Sequence, residues 1–159
     1  MKRLAGLLLL GAAGSWKVGL TVVGGHWLHE VSQKTPLAWG INVQFWQTDR
    51  LAADLQAFWL PVRTPLATHN VYFTYGRLRY ALSERSVRPF VSVGAGFLKP
   101  DASIPEVELR EQEASFLVTL GLQYRAPEWF PALLEVGYAR TFARPATELW
   151  VFLYTLYIP

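Results

Sequence analysis

From Ser15 onward, apolar residues recur at every second position in segments of about ten residues, the length a tilted strand needs to cross a bilayer. A period of two belongs to a β-strand, whose successive side chains point to opposite faces. In Trp39-Gly40-Ile41-Asn42-Val43-Gln44-Phe45, one face carries Trp39, Ile41, Val43 and Phe45, and the other carries Gly40, Asn42 and Gln44. Phe116 to Tyr124 repeats the design, with Phe116, Val118, Leu120, Leu122 and Tyr124 opposite Thr119, Gly121 and Gln123. Lys17 to Val23, Ala52 to Trp59, Phe90 to Phe97 and Leu133 to Tyr138 sort in the same way. With Val71–Tyr80 and Leu149–Tyr157 the strands number eight, and an even number of antiparallel strands closes with both chain ends on one side.

No stretch suits a spanning helix. The longest apolar block, Leu4 to Ala13, falls well short of the ~18 residues needed. The chain of 159 residues supports one domain. It holds seven Trp, seven Tyr and nine Phe, and its charged fraction of 17% lies below the roughly 25% of an average soluble domain. The absence of cysteine excludes disulfides, thiolate metal sites, a Cys nucleophile and a lipid-modified N-terminal Cys. A net charge of +3 with scattered basic residues gives no nucleic-acid footprint. Lys2-Arg3, the apolar run from Leu4 and the small residues Gly11-Ala12-Ala13-Gly14 have the layout of a signal peptide. The expected organisation is a signal peptide over 1–14, cleaved near Ala13 or Gly14, and a barrel over 15–159.

Connection lengths set the expected orientation. Links around Leu28–Pro36, Pro61–His69, Lys99–Glu113 and Arg140–Glu148 are long, and those around Gln47–Arg50, Ser83–Arg88 and Ala126–Pro131 are short. Single-chain outer-membrane barrels use short periplasmic turns and longer external loops, so the N-terminus is expected on the periplasmic side. The fold class is therefore an all-β, eight-stranded, antiparallel up-and-down transmembrane barrel. A soluble lipocalin- or avidin-like ligand-binding barrel is the alternative, and it requires a charged outer face. Here the more polar face is mostly uncharged, and it holds Gly19, Gly40, Gly94, Gly96, Gly121 and Gly137. Two strands need comment. Leu149 to Tyr154 is apolar on both faces, which leaves its facing open. Val71, Phe73 and Tyr75 share a face with Arg77 and Arg79; a β-bulge at Gly76 is expected to put Leu78 and Tyr80 on lipid and both arginines inside.

In Arg88-Pro89-Phe90-Val91-Ser92-Val93-Gly94-Ala95-Gly96-Phe97 and Thr119-Leu120-Gly121-Leu122-Gln123-Tyr124, the chain resembles the small eight-stranded outer-membrane barrels of the OmpA/OmpX type. Those barrels usually end on an aromatic residue, whereas this sequence ends Tyr157-Ile158-Pro159. The resemblance implies a bacterial outer-membrane location, with outer-membrane lipid or lipopolysaccharide as partner. A narrower similarity is to the lipid A 3-O-deacylase barrels, which carry catalytic His and Ser in the penultimate strand. The matching stretch, Gly137-Tyr138-Ala139-Arg140-Thr141-Phe142-Ala143, has neither residue and so no base for a Ser–His mechanism.

Other candidates are weaker. His26, His29 and Glu30 in the first external link and His69 in the second lack zinc-site spacing. Asp101, Glu106, Glu108, Glu111 and Glu113 against Lys99 and Arg110 read as a solvated loop. No cofactor, metal or catalytic residue is implied. Trp16, Trp27, Trp59, Trp129, Phe130 and Trp150 fall near strand ends, as in an interfacial aromatic girdle. Facing and strand direction bring Lys17, Asp54, Arg77, Arg79, Arg125 and Glu135 into one lumenal cluster toward the periplasmic end, where buried charges must pair. Replacing Glu135 with Ala is expected to lower thermal stability in detergent. The expected function is that of a monomeric barrel with a filled lumen, serving membrane integrity or surface interaction without catalysis. A lipid-modifying hydrolase is the alternative.

Overall fold

The computed structural model describes residues 16–27, 37–63, 67–102, 111–124, 132–143 and 146–158. The expected signal peptide, 1–14, lies outside them. Alternation produces eight strands: β1 (Lys17–Trp27), β2 (Leu37–Gln47), β3 (Leu51–Arg63), β4 (Thr68–Ala81), β5 (Val87–Pro100), β6 (Glu113–Tyr124), β7 (Ala132–Thr141) and β8 (Glu148–Ile158). Each pairs antiparallel with its neighbours in the chain, and β1 closes on β8 from Val18↔Ile158 to Trp27↔Leu149. Closure leaves no open sheet edge, the condition for strands to stand in hydrocarbon. We call the end where β1 begins and β8 finishes the base, and the opposite end the mouth.

Two strands reach further than expected. Pro61, Val62 and Arg63 pair with Asn70, His69 and Thr68, so the β3–β4 link shrinks to 64–67. The ladder continues because it buries Val62 beside Val71 inside the mouth. Arg140 and Glu148 are likewise ladder partners rather than loop residues. The difference between long and short links is thus smaller than the sequence suggests, although the links at 28–36 and 101–112 remain the longest and both lie at the mouth.

The outer wall is apolar. Leu20, Ile41, Leu55, Leu78, Val93, Leu120, Leu134 and Phe152 are all exposed on it. This is the reverse of the sorting a soluble barrel needs. The interior has two layers. Toward the mouth, Val23, Trp27, Phe58, Leu60, Val71, Phe73, Leu117, Leu149 and Val151 form a packed apolar plug. Phe58 and Phe73 stack with centroids 4.7 Å apart, and Trp27 lies 6.1 Å from Phe73. A lumen this narrow holds such rings only where the facing position is small: a Cβ on Gly40 would stand 2.5 Å from the Phe58 Cβ. Toward the base the inward residues are polar.

The two layers correct the expected bulge. Register in β4 is unbroken from Val71 to Ala81, and Val71, Phe73, Tyr75, Arg77 and Arg79 all face inward. No switch is needed, because one strand face serves an apolar layer near the mouth and a charged layer near the base. The register shift among the ladders falls in β2, between Gln44 and Trp46. The last strand also resolves: Leu149, Val151 and Leu153 join the plug, while Trp150, Phe152 and Tyr154 face out.

Candidate functional site: a buried polar layer

Strand register places the charges. Gln44, Asp54, Arg77 and Gly94 form one ladder row across β2 to β5, while Glu135 lies on β7 opposite Gly121. Arg77 must therefore reach across the lumen to meet Glu135. Its Nε donates to Asp54 Oδ1 at 2.7 Å and its Nη1 to Glu135 Oε2 at 2.9 Å. A Cβ on Gly94 would stand 2.8 Å from Arg77 Cγ, so the glycine leaves the arginine its path. Gly94→Ala should cost about 1–3 kcal/mol through crowding of that side chain, read as a lowered urea midpoint in detergent.

Arg79 completes the balance. Its Nε lies 2.7 Å from Asp54 Oδ2 as an ion pair, out of line for a hydrogen bond. Its Nη2 donates to Gln44 Oε1 at 2.7 Å and to the Tyr157 hydroxyl at 3.1 Å, and its guanidinium lies 5.6 Å from the Phe90 ring centroid. Asp54, Arg77, Arg79 and Glu135 are all essentially fully buried, two cations against two carboxylates. Buried charges persist only when paired and hydrogen-bonded, and this set meets that condition.

Neutral groups extend the layer to every strand. Tyr157 donates to Asn42 Oδ1 at 2.8 Å, and Asn42 Nδ2 donates to Asp54 and Gln56. Gln56 donates to Thr21, which shares a 2.8 Å hydrogen bond with Thr155. On the other side Thr119 donates to Glu135 Oε2 at 2.7 Å and shares a 2.6 Å bond with Ser92. Besides the ion-paired Arg79 Nε and Asp54 Oδ2, the buried atoms Arg77 Nη2 and Glu135 Oε1 of this layer have no hydrogen-bond partner among the described residues. At the base, Arg88 donates to the carbonyls of Arg85, Asp49 and Glu84, tying two turns beneath the layer.

The sequence-expected cluster is thus distributed as follows. Asp54, Arg77, Arg79 and Glu135 meet in the lumen. Lys17 is half-buried at the start of β1, opposite Gln44 in the ladder, and Arg125 lies outside the described residues. Sequence reasoning left out Asn42, Gln56, Thr21, Thr155, Tyr157 and Arg88; Asn42, Gln56 and Thr21 stood in strands whose alternation was read, while Thr155 and Tyr157 stood in the last strand, whose facing was open. Among the girdle residues, Trp16, Trp59 and Trp150 face outward, and Trp16 sits 6.2 Å from Phe45 at the base. Trp27 is a correction: it is 3% exposed and points into the plug, because its odd position in β1 shares the inward face of Val23. Trp129 and Phe130 lie outside the described residues.

At the mouth, His26 belongs to β1 and is exposed, and His69 belongs to β4 with its Nδ1 3.6 Å from Asp101 Oδ1. Asp101 also accepts from the Asn70 backbone at 2.9 Å, which fastens the end of β5 to β4. His29 lies outside the described residues, and no group of three metal-ligating side chains occurs among those described.

Comparison with solved structures finds this barrel repeatedly. Neisserial surface protein A (NspA) aligns at 10% identity over 90% of this chain and 96% of its own, with a TM-score of 0.68. The outer membrane enzyme PagL aligns at 14% identity over 89% and 99%, with a TM-score of 0.62. The N-terminal β-barrel domain of Pseudomonas aeruginosa OprF aligns at 15% over 89% and 97%, with a TM-score of 0.58. No protein-family model and no curated protein sequence matches the chain. The shared feature is the fold, an eight-stranded transmembrane β-barrel.

Proposed function

We propose that this chain is a closed, monomeric barrel of a bacterial outer membrane, serving membrane integrity or surface interaction without catalysis of its own. Outer-membrane lipid or lipopolysaccharide is its surrounding partner. The observation that carries this reading is the charge-balanced polar layer to which all eight strands contribute, capped toward the mouth by the apolar plug. An eight-stranded wall leaves a lumen that side chains can fill, and here they do. Ions moving through it would have to break the Arg77 and Arg79 pairs and then cross a dry stretch.

Two experiments test this. In planar bilayers the protein should show no single-channel conductance; a large one overturns the filled lumen. Leu120→Arg, outward near mid-wall, should destabilise the protein in lipid by about 2–4 kcal/mol. The same change on a water-facing wall would stay within about 0.5 kcal/mol, and that outcome, or folded protein in the aqueous fraction without detergent, overturns the membrane reading.

The same fold in the outer membrane enzyme PagL keeps a hydrolase as the second reading, and the His69–Asp101 pair is the observation that favours it. Release of fatty acid from lipopolysaccharide, lost in His69→Ala, would establish it in place of the first.

A further inference from the structure

The outer wall is not evenly convex. Across β6, β7, β8 and β1 it carries an apolar furrow of about 650 Å³ lined by Leu120, Leu134, Val136, Phe152 and Tyr154. Its floor is backbone: Gly121, Glu135 and Leu153 form one ladder row, with the Glu135 and Leu153 side chains pointing inward. The furrow opens to the surroundings of the wall, so in a bilayer its contents are acyl chain.

Above it, toward the mouth, the same strands carry a different surface. Phe142, Phe116, Tyr138 and Trp150 form a continuous outward strip, with successive centroids 5.7, 6.2 and 5.6 Å apart. Within this strip Arg140 Nε lies 3.3 Å from Glu148 Oε1, both side chains being part-exposed. Aromatic rings with polar tips belong at the membrane–water boundary. Arg140 stands four steps beyond Val136, so the ion pair lies roughly 14 Å beyond the furrow along β7. That spacing lets one molecule place its headgroup on the pair and a tail in the furrow.

We propose that this face binds a zwitterionic phospholipid, its phosphate on Arg140, its ammonium on Glu148 and the adjoining rings, and an acyl chain in the furrow. The charge pattern selects this class. A guanidinium and a carboxylate side by side match a phosphate and an ammonium on one headgroup, whereas phosphatidylglycerol, whose one charge is its phosphate, has no cation to set against Glu148. An exposed pair contributes little to stability alone, and a bound zwitterion would give both charges a second partner. The tryptophan and tyrosine faces offer the ammonium a further attraction.

The inference rests on the membrane reading, and the test separates the two. The full chain is placed in nanodiscs of equimolar phosphatidylethanolamine and phosphatidylglycerol with identical chains, and the lipids retained on ejection are counted by native mass spectrometry. Phosphatidylethanolamine should exceed phosphatidylglycerol by about threefold, the range an exposed ion pair supplies. Glu148→Gln should abolish or invert that preference, and the exchange Arg140→Glu with Glu148→Arg should restore it. Val136→Trp, which fills the furrow from outside, should lower retention of both lipids, with folding verified by heat-modifiable gel mobility. Equal retention by the unaltered protein, a preference unmoved by Glu148→Gln, or a two-chain species seated on the furrow would overturn the lipid site. Failure to enter nanodiscs at all would instead overturn the membrane reading.

Discussion

Asp54→Ala should destabilise the barrel by about 3–5 kcal/mol, the loss expected when one member of a buried ion pair is removed and its partner stays. Asp54 is fully buried and takes Arg77 Nε at 2.7 Å, Arg79 Nε at 2.7 Å and Asn42 Nδ2 at 3.0 Å. Without it, two guanidinium groups share Glu135 as the remaining carboxylate of the layer. A net positive charge is then left in a lumen with no bulk water to screen it. The midpoint of urea unfolding in detergent micelles measures the loss, with heat-modifiable mobility reporting the folded fraction. Asp54→Asn, which keeps an acceptor but removes the charge, should fall between the two.

The double substitution Asp54→Leu with Arg79→Met discriminates the cause. It leaves Arg77 and Glu135, 2.9 Å apart, as one cation and one carboxylate, so the layer is neutral and paired again. Apolar replacement of a buried pair is often neutral or stabilising, and most of the loss should therefore return. If Asp54→Ala alone proves nearly silent, the layer is hydrated and the closed lumen is wrong.

The wall was legible in the sequence because its signal is simple. Alternation in segments such as Trp39–Phe45 and Phe116–Tyr124 fixes strand number, direction and outward face, and the structure follows it. The same alternation placed Asp54 and Glu135 on inward positions near the base, whereas Arg77 and Arg79 were turned inward only by the expected bulge. It did not disclose the second layer of the lumen. A period of two separates two faces, but it does not report that one face changes character along its length. That is why Phe73 and Tyr75, followed by Arg77, suggested a bulge, and why Leu149 to Leu153 appeared to have no polar side. Trp27 was assigned to the girdle on its place near a strand end, where its inward position was the stronger guide. Link lengths misled at Pro61 because proline reads as a breaker, whereas the burial of Val62 sustains the ladder past it.

The apolar layer provides the second large effect. Phe73 is 1% exposed, stacks on Phe58 and touches the Trp27 side of the plug. Phe73→Ala should cost about 3–5 kcal/mol, toward the upper end because a hydrogen-bonded, closed wall cannot collapse onto the space left. Water entering from the mouth would then reach the polar layer, where Arg77 Nη2 and Glu135 Oε1 have hydrogen-bonding capacity to spare. Conductance should nevertheless stay absent, since the Arg77 and Arg79 pairs still close the lumen. Adding Phe58→Ala removes the facing ring, and adding Asp54→Ser with Arg77→Ser then takes one carboxylate and one cation out of the polar layer without changing its net charge. The combined variant, reconstituted in planar bilayers, should conduct, while the two-ring and the two-charge variants alone should not. Conductance from Phe73→Ala by itself would show that the polar layer is no barrier and that the rings alone hold the barrel shut.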